Sequence, residues 1–335
     1  MIIELLMRKD ILWIGLAMLA CSGCSGAAVR GNAGATETAE ASQAFSDNAV
    51  ADADSLYAFV ERQVELGPRC PGSEAHRECG SLIVNTLKGY GVDSVAVQRA
   101  WVTTFEGKRY EACNILGSIN PDCDRRVLLV AHYDTRPWAD NDPDEAMHTR
   151  AVTGANDGAS GVAVLLETAR LLGRDVPENV GIDLLFVDME DSGENGGDED
   201  SWCLGTQEWV KAMPYTLTNR PKYGILLDMV GGHDARFYRE YFSEQGAAAH
   251  VDRIWAVARE SGYGDRFVNR RGGGVVDDHL FITRAGIPCV DIIECVNEHT
   301  GSFNPTWHTV SDTMDGIDRN TLKAVAQTVI NAVLQ

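Results

Sequence analysis

Residues 127–131, Val-Leu-Leu-Val-Ala, form an apolar run that closes on His132-Tyr133-Asp134. Such a run reads as a buried strand, and in open α/β sheets ligands bind where strands end at their carboxyl edge. Three further runs deliver acids in the same way. Residues 180–187 end in Asp188-Met189-Glu190-Asp191, residues 223–227 end in Asp228, and residues 288–293 carry Asp291. A glycine-rich loop, residues 153–161, holds Asp157 just ahead of a helical pattern, and its small residues let backbone approach an ion closely. His308 sits in Pro305-Thr306-Trp307-His308-Thr309. Imidazole and carboxylate are what a catalytic zinc site takes, about three of them with one position left open. The candidates are His132, Asp134, Asp157, Glu190, Asp191, Asp228 and His308. Singly, each reads as a turn or capping residue. Seven gathered at one sheet edge point to a metal site.

The elements that must position these groups alternate. A helix is expected over 49–66, stopped by Gly67-Pro68, and a second from Ser73, its cap, to Tyr90, with Gly91 as its stop. Residues 95–105 and 110–119 read as strands of a hairpin turning at Glu106-Gly107-Lys108. After the strand at 127–131 come helical patterns at 160–172, 205–213, 246–261, 279–285 and 322–333, interleaved with strands at 181–187, 223–227 and 288–293. This order predicts a three-layer α/β/α sandwich, with a mixed, mostly parallel central sheet and an antiparallel hairpin at its edge. No repeat and no domain break is visible after residue 49.

At 335 residues and 44% apolar composition, the chain is long enough to bury a full core. Its net charge of −20 argues against nucleic acid, whose phosphates call for Lys and Arg. At the N-terminus, Arg8 and Lys9 precede an apolar stretch at 11–20 that is too short to span a bilayer. Residues 1–20 are expected to be a signal peptide. Met18-Leu19-Ala20-Cys21 is a fair lipobox, so Cys21 is the expected lipidation site, with Cys24 the weaker candidate and a plain secretory signal the alternative. Residues 21–48, almost without large apolar side chains, read as a tether to one domain over 49–335. The expected location is the bacterial cell envelope, lipid-anchored. Nine cysteines fit that oxidising setting, and Cys70 with Cys79, Cys113 with Cys123, and Cys289 with Cys295 are close enough in sequence to pair. His76, His148, His233 and His250 stand in no motif and read as surface or structural residues. The acids from Glu194 to Asp200 read as a solvated loop, since a calcium site would need a defined ligand spacing.

Taken in order, His132-Tyr133-Asp134, the loop from Gly154 to Gly161, Asp188-x-Glu190-Asp191, Leu227-Asp228-Met229 and Trp307-His308-Thr309 resemble the zinc-dependent aminopeptidase clan. Within it the chain most resembles the glutaminyl-peptide cyclotransferases of the bacterial lipoprotein type, over roughly residues 50–335. Asp277-Asp278-His279, Trp307 before the histidine, and Arg136-Pro137-Trp138-Ala139-Asp140 favour that branch. The resemblance implies one Zn²⁺ on Asp157, Asp191 and His308. It implies Glu190 as general acid/base, and Asp228 and Asp277 as a hydrogen-bond network. His132 is expected to stay unligated, although it would be a second-metal residue in a two-zinc relative. Trp307, Trp202 and Asp291 are expected in the substrate pocket. Animal cyclases carry Glu at the position of Asp191, His at that of Asp291, and Cys at that of Ala131. The implied substrates are peptide or protein N-termini bearing glutamine. Two alternatives remain, a two-zinc aminopeptidase and a non-catalytic binding domain on the same fold. The second is disfavoured because every metal ligand is retained.

Overall fold

The computed structural model describes residues 48–335. The expected signal peptide, the tether up to residue 47 and the lipidation candidates Cys21 and Cys24 lie outside the described residues. Helices α1 (Ala53–Val64) and α2 (Glu74–Gly89) open the domain, each capped by a side chain that accepts a first-turn N–H, Asp52 from Ser55 and Ser73 from His76. The hairpin β1 (Ser94–Thr103) and β2 (Arg109–Ile119) follows. The alternating part runs β3 (Arg126–His132), α3 (Ala159–Leu172), β4 (Gly181–Val187), α4 (Leu204–Lys211), β5 (Tyr223–Asp228), β6 (Phe237–Arg239), α5 (Tyr241–Glu260), β7 (Phe267–Arg271), α6 (Asp278–Arg284), β8 (Cys289–Ile293) and α7 (Arg319–Leu334).

Six strands form one sheet in the order β1-β2-β4-β3-β5-β8. The β1/β2 and β2/β4 pairs are antiparallel, while β4/β3, β3/β5 and β5/β8 are parallel. The expected three-layer mixed sheet is therefore what the chain forms. Side-chain alternation assigns the two layers. From β3, Val127, Leu129 and Ala131 enter the larger core with α1, α2, α3, α5 and α7, whereas Leu128 and Val130 face Trp209 of α4 and Ile282 of α6. The central strands are buried on both faces, which is why they read as continuous apolar runs.

Two expectations need correction. The short parallel pair β6/β7 was not foreseen, because strands of three and five residues leave too little periodicity to read. The cysteine pairs do not form, and all seven described cysteines are free. Cys289 opens β8 while Cys295 lies beyond its end, and Cys113 sits within β2 while Cys123 lies beyond its end. An extended chain rises about 3.3 Å per residue, so such pairs stand much farther apart than the roughly 4.4–6.8 Å Cα spacing of a disulfide. Cys79 faces Gln63 and Cys70 faces Thr135, so this pair points apart.

Candidate active site

The parallel strands end together, and the motifs meet there. Just beyond two of them the backbone turns left-handed at non-glycine residues, Met189 (φ 58°) after β4 and Met229 (φ 48°) after β5. His308 (φ 55°) and Cys203 (φ 54°) do the same in the loops that close over them. Each such residue costs about 1 kcal/mol or more and persists only where surrounding contacts impose it. At the Asp188–Asp191 turn those contacts are explicit. Asp188 Oδ1 accepts the N–H of Met189 at 2.8 Å and its Oδ2 that of Cys113 at 2.7 Å. The Asp134 carboxylate receives the N–H groups of Glu190 and Asp191, both at 3.2 Å. Asp134, counted among possible metal ligands, is thus engaged in holding backbone. Gly205 at the start of α4 packs on the Asp188 carbonyl so closely that a Cβ would overlap it.

Asp157 is placed by an equivalent device. Asp312 accepts the N–H groups of Asn156 (2.8 Å) and Asp157 (3.0 Å), and buried Arg69 donates to the carbonyls of Thr153 and Gly154. Gly158 then enters α3 with φ 94°, its α-carbon facing the Asp134 carbonyl and the His132 ring. Neither Asp312 nor Arg69 was singled out from sequence, since an acid or arginine that serves only backbone carries no motif.

The donor atoms of Asp157, Asp191 and His308 all lie within 4.8 Å of one another. All three residues are buried. His308 Nε2 stands 3.0 Å from Asp191 Oδ1 and 3.6 Å from Asp157 Oδ2, while its Nδ1 faces Asp140 at 3.6 Å. Neither oxygen of Asp191 makes a hydrogen bond. Burial together with Asp157 pushes the Asp191 carboxyl up to about 6, against the pull of His308 and Arg136. Burial on its own would lower the His308 imidazole, but Asp191, Asp140 and Asp157 outweigh it and raise it to about 9. Two buried carboxylates and an imidazole, with both Asp191 oxygens unpartnered, fit a divalent zinc ion, and two negative charges balance its own. Asp157 and His308 border the cavity, which leaves the open position a catalytic zinc needs. Asp140 stands against the far ring nitrogen, the place an outer carboxylate takes when a histidine binds a metal. Arg136, which bonds Asp140 and the carbonyls of Asp191 and Gly193, ties these loops together.

The cavity above these groups has a volume of about 310 Å³ and is lined by Glu190, Trp202, Asp228, Asp277, Phe303 and Trp307 among others. Trp202 and Trp307, expected in the substrate pocket, both line this cavity. The Trp307 ring stacks on His308 at 4.1 Å, and Trp202 lies on the same imidazole at 6.1 Å. Asp291 departs from expectation. It is fully buried and does not line the cavity, because it lies in the middle of β8, behind Asp277. Burial drives Glu190 well above the ordinary carboxyl range, with His132 opposing and Asp277 and Asp191 adding. Burial and the neighbouring Asp228 and Asp278 do the same to Asp277. Cys203, which no motif announced, places its Sγ 3.6 Å from Glu190 Oε1.

His132 lies 3.1 Å from Asp157 and 3.2 Å from Asp228, and these three also form a group within 4.8 Å. The two groups share Asp157. A larger cavity, about 590 Å³, opens beside residues 297–306 and includes His299 and Glu294 but none of the clustered residues.

A model of peptidase family M28 matches residues 114–333. A glutaminyl cyclase from Bacteroides thetaiotaomicron, bound to N-acetylhistamine, is 46% identical with a TM-score of 0.81, over 85% of this chain and 98% of that one. The chain belongs to peptidase family M28, among its bacterial glutaminyl cyclases. A Zn-dependent exopeptidase from Parabacteroides distasonis is 45% identical with a TM-score of 0.81, covering 85% of this chain and 99% of that one. The glutaminyl-peptide cyclotransferase of Bos taurus is 24% identical over 286 residues, 77% of this chain and 75% of its own.

Proposed function

We propose that this chain converts N-terminal glutamine of peptides or proteins to pyroglutamate with release of ammonia, using one zinc ion held by Asp157, Asp191 and His308. The observation that carries this reading is Glu190 in the wall of the same cavity as Asp157 and His308, in a chain 46% identical to a glutaminyl cyclase. Zinc is supported by the donor set and by the similar Zn-dependent exopeptidase.

Cyclisation joins two parts of one substrate. The α-amine nitrogen bonds to the γ-carbonyl carbon, and the bond from that carbon to the side-chain amide nitrogen breaks. When bound, zinc supplies a Lewis acid that polarises the γ-carbonyl and stabilises the charge developing on its oxygen. Glu190 takes the proton that the α-amine loses and returns it to the departing nitrogen, which leaves as ammonia. Trp202 and Trp307 wall the cavity and exclude water, holding the glutamine side chain folded back on its own amine; this positioning replaces a costly encounter. Asp277, raised by burial well above the ordinary carboxyl range, and Asp228 both line the cavity, and their role is to orient the amine. The reaction class is therefore acyl transfer within a single chain.

One observation favours a second reading. The His132, Asp157 and Asp228 group would take a second metal in an aminopeptidase. Incubating the protein with a Gln-initiated peptide and with aminoacyl anilides, while counting bound zinc, separates the two. Ammonia release with one zinc per chain is expected, and anilide cleavage with two zincs would overturn the cyclase reading.

We also infer that the chain is exported and held to the bacterial envelope by a lipid on Cys21, with residues 21–48 as tether and 49–335 as one catalytic domain. Arg8, Lys9, the apolar stretch at 11–20 and the small residues around Cys21 support this. Cys21→Ser should release the protein from the membrane fraction; unchanged membrane association would rule out that anchor.

A further inference from the structure

The loop that leaves β8 carries part of the cavity wall, and one buried acid holds it. Residues 294–307 contain no helix or strand. Loops of that length are usually functional or mobile. Two aromatic side chains of this loop, Phe303 and Trp307, line the cavity, with ring centroids 4.4 Å apart. Glu294 is the first residue beyond β8 and is only 2% exposed. Its Oε1 accepts from Asn297 Nδ2 at 2.9 Å, and its Oε2 accepts from Asn304 Nδ2, also at 2.9 Å.

Each asparagine also belongs to a turn of its own. Asn297 Oδ1 accepts the His299 N–H at 2.9 Å, and the Asn297 N–H donates to the carbonyl of Ser302, just ahead of Phe303. Asn304 Oδ1 accepts the Thr306 N–H at 3.1 Å and its hydroxyl at 2.9 Å, and the Asn304 carbonyl accepts the Trp307 N–H at 2.9 Å. With both amide oxygens committed to their turns, the amide N–H groups are what face Glu294. A carboxylate meets two donors because it offers two acceptors and no donor; a glutamine amide would set N–H against N–H on one side. Burial raises the Glu294 carboxyl, and the bonds from Asn304 and Asn297 oppose that rise. Behind the clamp lies open space, since Glu294, Asn297 and Asn304 all line the 590 Å³ cavity. The loop is thus a partition between two cavities, with Met229 and Ile293 in the apolar cluster against which Phe303 and Trp307 pack.

We propose that Glu294 is a positioning residue for substrate binding, clamping through Asn297 and Asn304 the two turns that carry Phe303 and Trp307 and so fixing the aromatic wall of the cavity. That the wall holds a glutamine side chain rests on the cyclase reading above; the clamp itself does not. A partition with a cavity on each side has little packing to hold it, so its geometry depends on the bonds that tie it to the strand end. Glu190 stands on another loop, and the His308 carbonyl is held separately by the Asn141 N–H at 3.1 Å. Loosening the clamp therefore acts on the wall before it acts on the reacting groups.

The test uses the purified full chain with a Gln-initiated peptide, comparing wild type, E294Q, N304D and the double variant. E294Q keeps the shape but sets one donor against another, and N304D sets carboxylate against carboxylate. Each should raise KM about tenfold, the weight of one hydrogen bond to a charged group, with kcat little changed. In E294Q/N304D donor and acceptor change places, so the bond re-forms and KM should return most of the way to wild type. A merely destabilising pair would instead add its losses. Unchanged KM in E294Q, or a double variant no better than either single one, would overturn the proposal. N304D strikes the same bond from a half-buried position, which keeps the test open should E294Q not fold. Hydrogen–deuterium exchange of the backbone N–H groups at 297–307 stands beside the kinetics. It should quicken in both single variants and slow again in the double; equal exchange in all four proteins would overturn the clamp without any assay. A wild type that releases no ammonia would sink the cyclase reading instead, and the exchange result would then judge the clamp alone.

Discussion

The imidazole of His76 lies 2.8 Å from the carboxylate of Asp188, although 112 residues separate them. Both are buried, and the His76 ring is stacked on Tyr133 at 5.2 Å. From sequence His76 read as a surface or structural residue. It is structural, and what it secures is the strained turn that presents Glu190 and Asp191. Burial on its own lowers the His76 imidazole, but Asp188 outweighs this and the net shift is upward. A folded-state value above the unfolded one gives stability that is full below about 6.5 and is lost as pH rises through the folded value. His76→Ala should therefore cost about 1–3 kcal/mol near pH 6, and less near pH 9. Urea midpoints of both proteins at the two pH values check this; a difference that grows with pH would contradict it.

Glu190→Gln should leave zinc binding intact while turnover falls about 10²- to 10⁴-fold, the usual contribution of a proton-transfer group. Ammonia release and metal content measured on the same sample decide the point. Turnover near wild type would remove Glu190 from its proposed role.

Asp140 faces His308 Nδ1 and is bonded to Arg136 without being a candidate ligand. Asp140→Asn should weaken zinc affinity about 10- to 100-fold, as loss of an outer partner does. Asp191→Asn should weaken it further. Competition with a graded chelator, followed by metal analysis, gives both values. Equal affinity in wild type and both variants would place the metal elsewhere.

Trp307 forms cavity wall and covers the His308 ring. Trp307→Ala should raise KM by about two- to tenfold, in line with the loss of roughly 0.5–1.5 kcal/mol of ring contact, with a smaller change for Trp307→Phe. Steady-state kinetics on a Gln-initiated peptide measure it, and an unchanged KM in the Ala variant would move the substrate away from this wall.

The seven described cysteines are free, four of them buried. The chain from residue 48 onward, unfolded without reductant, should therefore titrate seven thiols, and reductant should leave its melting temperature unchanged. A lower count or a reductant-sensitive melt would restore one of the pairings expected from sequence.

Sequence alone determined the layers and the acids and histidine that end the strands. The central strands are buried on both faces, so they had to be apolar throughout, and each apolar run had to stop where chemistry begins; His132, Glu190, Asp191 and Asp228 could be read off those stops. Helix caps such as Ser73 were equally visible, because a cap bonds only its own first turn. What the tertiary structure decided is everything held by contacts distant in sequence. Asp134 and Asp312 hold the backbone beneath Glu190 and Asp157, His76 secures the Asp188 turn, and Glu240 reaches His279 across 39 positions. None of these pairs leaves a local pattern, since a carboxylate serves a remote N–H as readily as a near one. Asp291 shows the same limit from the other side. Its strand was legible, but that it lies behind Asp277 rather than in the cavity is set by how α6 packs over β8.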